Sequence, residues 1–285
     1  MYELILENAA GDQLTFEQNS PFTVSEIKGL NPPSATINTS QIALVDGAKF
    51  NSSKVNVRTI NLAFAIEYEA EVNRIKVYKV LKSKQYVKLK YKSRYRDVFI
   101  EGYVSSIDID YFKMKQIVTC AILCPSPYLK QAQEIVDELS NLINTFHFPF
   151  ASQATPELVF GYYSTEIGTF VKNDGDVECG LIIELYARSA VADPVVYNYI
   201  THEFIGIHYS MQEADLITID TRQGQKSVKL LRAGVESNLF NYVTQDSTWL
   251  QLPANGGVFV YEVDEDSDVD DLLVTFKHYN QYEGV

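Results

Sequence analysis

Tyr86-Val87-Lys88-Leu89-Lys90-Tyr91-Lys92-Ser93-Arg94-Tyr95-Arg96 is the stretch whose period decides the fold class. Lys88, Lys90, Lys92, Arg94 and Arg96 fall at every second position, with Val87, Leu89, Tyr91 and Tyr95 between them. Successive side chains of a strand point to opposite faces. The pattern therefore predicts one strand with five cations on one face and an apolar set turned to a core. The same period runs outward from it. Tyr2, Leu4 and Leu6 share a face, and Val55 to Ile66 alternates. A shift of face near Arg58–Thr59 predicts a bulge. Strands are expected over 86–91, 98–105 and 116–123. Asp46-Gly47 suits the positive φ angles of a two-residue hairpin turn.

Two segments break the strand period. Val72, Ile75, Tyr78 and Leu81 recur at three-residue steps with Val77 beside them, which predicts a short amphipathic helix over 70–81. Ile135, Leu139, Leu142 and Phe146, with Val136 and Ile143 beside them, predict a second helix over 131–146, stopped before Pro149. The stretch 147–156 then reads as a domain boundary. Beyond it, strand signals at 165–171, 178–187, 199–207, 216–220, 227–230 and 272–276 are separated by turn clusters such as Asn173-Asp174-Gly175-Asp176 and Arg222-Gln223-Gly224-Gln225. Short strands at that spacing predict a sandwich or barrel. The expectation is a mainly β chain with one or two short helices, in two domains, 1–150 and 151–285. The length of 285 residues suits two cores better than one.

Charge divides the same way. Residues 1–130 hold 17 Lys and Arg against 13 Asp and Glu, a net of +4; the remainder hold 7 against 24, a net of −17. The start, Met1-Tyr2-Glu3-Leu4, lacks the basic residues of a signal peptide, and the longest apolar run, Ile117 to Cys124, is too short for a bilayer. These features predict a protein kept in the cytosol or built into a particle there, with no membrane partner. The three cysteines, Cys120, Cys124 and Cys179, argue against a disulfide framework, because the count is odd and four residues of strand separate the first two by roughly 13 Å. Buried free thiols are expected.

Chemistry is sparse. No glycine cluster between strand and helix marks a phosphate loop. His147, His202, His208 and His278 are too scattered for zinc. Asp264, Asp266 and Asp268 imitate the first ligands of a calcium loop, but Val269 stands where glycine is needed and Thr275 where the closing glutamate is needed. A solvated acidic loop is the expectation. The carboxylates of 173–176 read as turn acceptors rather than an acid–base pair. No catalytic, cofactor-binding or metal-binding residue is assigned. The row Lys88, Lys90, Lys92, Arg94 and Arg96 reads as a solvated strand face, as an interface for an acidic partner, or as a phosphate-contacting row. The strongly acidic chain opposes the last at long range.

Several motifs carry a family resemblance. Gly29-Leu30-Asn31-Pro32-Pro33 precedes the Asp46-Gly47 turn, and Arg58-Thr59-Ile60-Asn61-Leu62 follows it. Arg96-Asp97-Val98-Phe99-Ile100-Glu101-Gly102-Tyr103-Val104 comes next, then Ile122-Leu123-Cys124-Pro125-Ser126-Pro127-Tyr128. The second half adds Asn173-Asp174-Gly175-Asp176, the segment from Asp215 to Arg222, and a closing strand at 276–285. In order and spacing these resemble the siphovirus-type tail component family, whose members include distal tail proteins of long-tailed, non-contractile phages. Leu252-Pro253-Ala254-Asn255-Gly256-Gly257 departs from the family's more regular loop.

The resemblance implies an N-terminal split-barrel-like domain and a C-terminal galectin-like β-sandwich. It implies a homo-hexameric ring at the tail tip that joins the tail tube protein to a tail-associated baseplate hub protein and receptor-binding protein. DNA would pass through the channel without specific binding. The protein would be a virion structural component assembled in the host cytoplasm, with no cofactor and no enzymatic activity. On this reading Lys88 to Arg96 lie at an inter-subunit or tube-facing surface. The alternative is a carbohydrate-binding host-adhesion module, with Trp249, the single tryptophan, as the ring that stacks on sugar.

Overall fold

The computed structural model describes all residues except Met1, Gln18, Val45, Met114, Ser140, Asn141, 145–160 and 164–167. His147, the proposed boundary at 147–156 and the start of the strand expected at 165 lie outside the described residues. Packing divides the chain into two units, Met1–Gln133 with Gln281–Val285, and Glu134–Asn280. The division thus falls between Gln133 and Glu134, where the sequence suggested 150/151.

The first unit contains β1 (Glu3–Asn8), β2 (Gln13–Phe16), β3 (Phe22–Lys28), β4 (Ala35–Gln41), β5 (Ala48–Val55), β6 (Arg58–Ile66), α1 (Ala70–Val80), β7 (Tyr86–Lys92), β8 (Asp97–Ile109), β9 (Gln116–Cys124) and β10 (Leu129–Gln131). Its main sheet runs β2-β1-β7-β8-β9-β6-β3. The sheet curls until its end strands approach. Phe16 of β2 and Phe22 of β3 lie 5.9 Å apart, and both meet Phe64 of β6 edge-on. Leu4, Leu6, Leu14, Ile60, Leu62 and Leu89 fill the interior. The chain's strand alternation is the cause, since every second residue of β1 and β9 is buried. Outside this sheet, β4 and β5 form a separate hairpin between β3 and β6.

The second unit contains β11 (Ile135–Leu139), β12 (Leu142–Asn144), β13 (Gly161–Tyr163), β14 (Gly168–Val171), β15 (Cys179–Gly180), β16 (Ile182–Ala187), β17 (Val191–Ala192), β18 (Val195–Asn198), β19 (Phe204–Gly206), β20 (Ser210–Met211), β21 (Leu216–Asp220), β22 (Ser227–Arg232), β23 (Val235–Asn238), β24 (Gln251–Leu252), β25 (Gly257–Glu262) and β26 (Leu272–His278). One sheet runs β11-β26-β16-β21-β22-β23 and another β14-β25-β18-β19. They share one core as a sandwich, with Phe259 of β25 and Phe276 of β26 5.0 Å apart. A last strand, β27 (Gln281–Tyr282), returns to pair with β10 of the first unit.

Four sequence expectations are corrected. Where a linker helix was expected over 131–146, the described residues form strands: β11 pairs with β26 from Ile135↔His278 to Leu139↔Val274. Residues four apart share a face on a strand as well as on a helix, so Ile135 and Leu139 satisfied both patterns. The helix at 70–80 is present, but its buried face is Asn73, Val77 and Val80, while Val72 and Ile75 are exposed. Asn73 is tolerated there because its amide donates to the Tyr68 carbonyl at 2.8 Å. The face shift before β6 is the break between β5 and β6 at 56–57, not a bulge. The Asp46-Gly47 turn belongs to a longer loop, 42–47, with Leu44 and Gly47 at positive φ.

Candidate interface surfaces

The basic row divides between a strand and a turn. Lys88, Lys90 and Lys92 share the outer face of β7, opposite buried Val87 and Leu89. The strand ends at Lys92. Ser93 donates its amide to the Arg96 carbonyl at 2.7 Å, and its hydroxyl accepts from the amides of Tyr95 and Arg96. This turn takes Arg94 off the strand face and leaves Tyr95 exposed rather than in the core. Neighbours offset most of the charge. Lys90 pairs with Glu7, Lys92 lies 3.9 Å from Asp97, and Lys88 sits 3.7 Å above the Phe99 ring. Arg96 lies 3.9 Å above the Tyr282 ring. Burial lowers the Lys88 pKa, with Glu101 opposing. Lys92 and Arg94 are the most exposed members.

A surface that the sequence reading passed over is the β4–β5 hairpin. Cross-strand register places Ala35 beside Val55, Ile37 beside Ser53, Thr39 beside Phe50 and Gln41 beside Ala48. That face is the more apolar. The other carries Thr36, Asn38, Ser40, Lys49, Ser52 and Lys54, tied by hydrogen bonds from Asn38 to Ser52 and from Asn51 to Ser40. The ribbon is amphipathic, yet among the described residues none covers its apolar face: Ile37 is 63% exposed and Phe50 59%. A second bare face lies on the main sheet. Tyr103 and Leu123 are cross-strand neighbours on β8 and β9, and both are exposed, as is Ile117. Contiguous exposed apolar surface, where it occurs, marks interaction sites.

Within the first unit, four of the segments that carried the family resemblance meet at Arg58. Arg58, 3% exposed, donates to the carbonyls of Pro127 at 2.6 Å, Gly29 at 2.8 Å and Glu283 at 2.7 Å. Gly29 has a φ of +95°, and a Cβ there would lie 2.3 Å from the Thr59 carbonyl oxygen. Gly102 packs so closely on β9 that a Cβ would come within 2.7 Å of Ile122 and the Leu123 carbonyl. In the second unit, buried Asn173 donates to the carbonyls of Val177 and Pro253 and accepts from Gly175. The 173–176 carboxylates therefore flank a structural turn. Asp215 is buried and paired with Arg232, whose hydrogen bond holds its carboxyl below the usual range.

Trp249 is half-buried against the second unit's core. Its ring stacks on Phe240 at 5.8 Å and 28°, and the Lys226 ammonium lies 5.4 Å over it. The acidic loop closes on itself: Asp268 caps a short 3-10 turn, Val269–Asp271, by accepting from the Asp270 amide. Cys120, Cys124 and Cys179 are buried free thiols, each pushed up to about 12 by burial. Among the described residues no group of three or more His, Cys, Asp and Glu side chains is placed to hold a metal. No described helix is long and apolar enough to cross a membrane.

Two mainly β units, one a curled sheet and the other a sandwich, define a structural class built from sheet faces. Residues 10–124 match the phage tail protein RIFT-related domain, and residues 174–282 match the C-terminal domain of siphovirus-type tail components. The chain belongs to the siphovirus-type tail component family, the two matches together spanning most of its length. Among solved structures, the crystal structure of the SPP1 Dit protein (gp 19.1), described as a paradigm of the hub adsorption apparatus in phages infecting Gram-positive hosts, is similar. Its TM-score is 0.67 at 12% identity, covering 97% of this chain and 98% of that one. The phage P2 baseplate in its activated conformation also matches. With Ca the TM-score is 0.56 at 13% identity, and with Sr 0.55 at 12%, each covering both chains fully. At these identities the likeness is one of fold. No curated protein matches the chain.

Proposed function

We propose that this protein is a subunit of a homo-hexameric ring in the tail tip, joining the tail tube protein to the baseplate hub and receptor-binding protein, with DNA passing through the channel. The observation that carries the reading is the uncovered amphipathic hairpin beside a second uncovered apolar face, Tyr103, Ile117 and Leu123, on one unit. A closed ring needs two different, complementary surfaces on each subunit. Six copies would each offer the hairpin to a neighbour and accept one in return. The similar solved structures, a phage hub adsorption protein and a phage baseplate, support the hub setting. The second unit, read as a galectin-like sandwich, would face other tail components. The basic row from Lys88 to Arg96 is proposed as a tube-facing or inter-subunit surface, with Lys92 and Arg94 the side chains left for a partner. In this reading the protein acts in the virion, is assembled in the host cytoplasm and performs no catalysis.

Native mass spectrometry and negative-stain imaging test the reading, on the chain alone and with the tail tube protein. Hexameric rings are expected in at least the second condition. The double substitution Ile37→Ser, Phe50→Ser should abolish them and leave the circular dichroism spectrum unchanged. Rings that persist in this variant would remove the hairpin from the interface. A strict monomer under both conditions would overturn the ring.

A further inference from the structure

The sequence singles out Trp249 as a sugar-stacking ring, but that ring is already engaged by Phe240 and Lys226. The ring left to solvent is Phe240, 48% exposed. Phe240 borders a groove of about 340 Å³ lined also by Lys226, Ser227, Lys229, Glu236 and Asn238. That volume lies at the low end of the range for small-ligand sites, roughly 300–1,000 Å³, and suits one or two sugar rings. We propose that this groove on the second unit binds a saccharide, with Phe240 rather than Trp249 as the stacking platform.

Three features of the groove match that chemistry. The first is a backed aromatic ring. Phe240 rests on Trp249, and Trp249 rests on the core, so the platform is held while one side of it meets water. A pyranose presents a C–H face that packs on such a ring as an apolar group does. The second feature is a rigid polar rim. The Asn238 side-chain oxygen accepts from the Phe240 amide at 2.8 Å, which orients the amide and leaves its NH2 group to donate to a ligand hydroxyl. The third is the Lys229–Glu236 ion pair at 2.8 Å, which spans the β22–β23 ribbon. It sets a donor and an acceptor side by side, as a pair of adjacent sugar hydroxyls requires. An apolar peptide is a poorer match, because hydroxyl, amide and charged groups outnumber the single ring along the lining. The groove lies within one unit of one chain, so the inference does not rest on ring formation.

Saturation-transfer NMR on the full chain tests it, with the methyl glycosides of glucose, galactose, N-acetylglucosamine and rhamnose at millimolar concentration. Transfer to the ring protons of at least one glycoside is expected. Phe240→Ser should weaken binding at least tenfold, Phe240→Tyr should retain it, and Lys229→Met should weaken it several-fold. Both replaced residues are exposed, and an unchanged circular dichroism spectrum identifies folded variants. Absence of transfer from all four glycosides overturns the site, as does transfer that survives both Phe240→Ser and Lys229→Met.

Discussion

Arg58 shows how a single residue can hold a unit together. Its guanidinium is buried, and its donors go to three carbonyls from distant parts of the chain. Burial lowers its pKa, yet an arginine remains charged. Truncation would leave three half-buried carbonyls without their donor, at a cost on the order of 3 kcal/mol for Arg58→Ala. Arg58→Lys should recover only part of this, because an ammonium lacks the planar fork. Urea denaturation of both variants measures the difference. His278 provides a pH-dependent counterpart. It is fully buried on β26, with Asp137 of β11 3.9 Å away, and its pKa is lowered chiefly by burial, against the opposing charges of Asp137 and Glu134. The unfolded chain therefore takes up this proton at a higher pH than the native chain does. The stability that His278 contributes is present above about pH 6.5 and is lost as pH falls towards the lower native value, by at most about 1.4 kcal/mol per pH unit. Melting temperature should fall between pH 7 and pH 5.5, and less steeply in His278→Gln. Equal slopes in the two proteins would remove His278 from the account.

At the scale of the element, the β4–β5 hairpin is the one whose stability depends most on what lies outside the chain. An isolated two-stranded ribbon is marginal in water. Its own β4–β5 ladder, side-chain hydrogen bonds on its polar face and the Asn56-to-Ser34 backbone bond at its base hold it in the single chain. Hydrogen exchange should thus be fast for amides of 35–55 in the isolated chain and at least tenfold slower in assembled rings. Equal rates would contradict the proposed interface. The hairpin also marks where sequence reading stops. Strands β7, β8 and β9 were legible because their alternation is answered by a core within the same unit. Ala35, Ile37 and Thr39 alternate too, but the surface that would bury Ile37 is not on the same unit, so no pattern in one chain identifies it as an interface. The basic row was legible as charge but not as geometry: the strand ends at Lys92, four residues before the pattern does, and the compensating Glu7 comes from a strand 83 residues away. The strand at 135–139 was missed for a different reason, since spacing by four fits both a helix and a strand face. Its pairing with β26, 139 residues on in the register Asp137↔Phe276, is a tertiary fact.

At the scale of the molecule, the chain leaves its first unit at Gln133, builds the whole second unit, and returns at Gln281 to finish the first. The return is short but well used. Tyr282 pairs with Leu129, lies in the first unit's core and supplies the ring beneath Arg96. Glu283 supplies the third carbonyl to Arg58. Gly284 packs against Pro32 at the hairpin's base. The first unit is therefore incomplete until residues 281–285 arrive, whereas the second needs nothing beyond Asn280. Removing 281–285 should lower the stability of the first unit by several kcal/mol, through the lost burial of Tyr282 and the unmet donor of Arg58. The second unit should keep its own stability. Trp249 belongs to the second unit and the chain has no other tryptophan, so its fluorescence isolates that unit's unfolding transition. In the truncated chain the fluorescence midpoint should be unchanged, while far-ultraviolet circular dichroism gains an earlier transition from the first unit. A fluorescence midpoint that fell together with the circular dichroism signal would mean that the units unfold as one, and that the returning segment stabilises the whole chain.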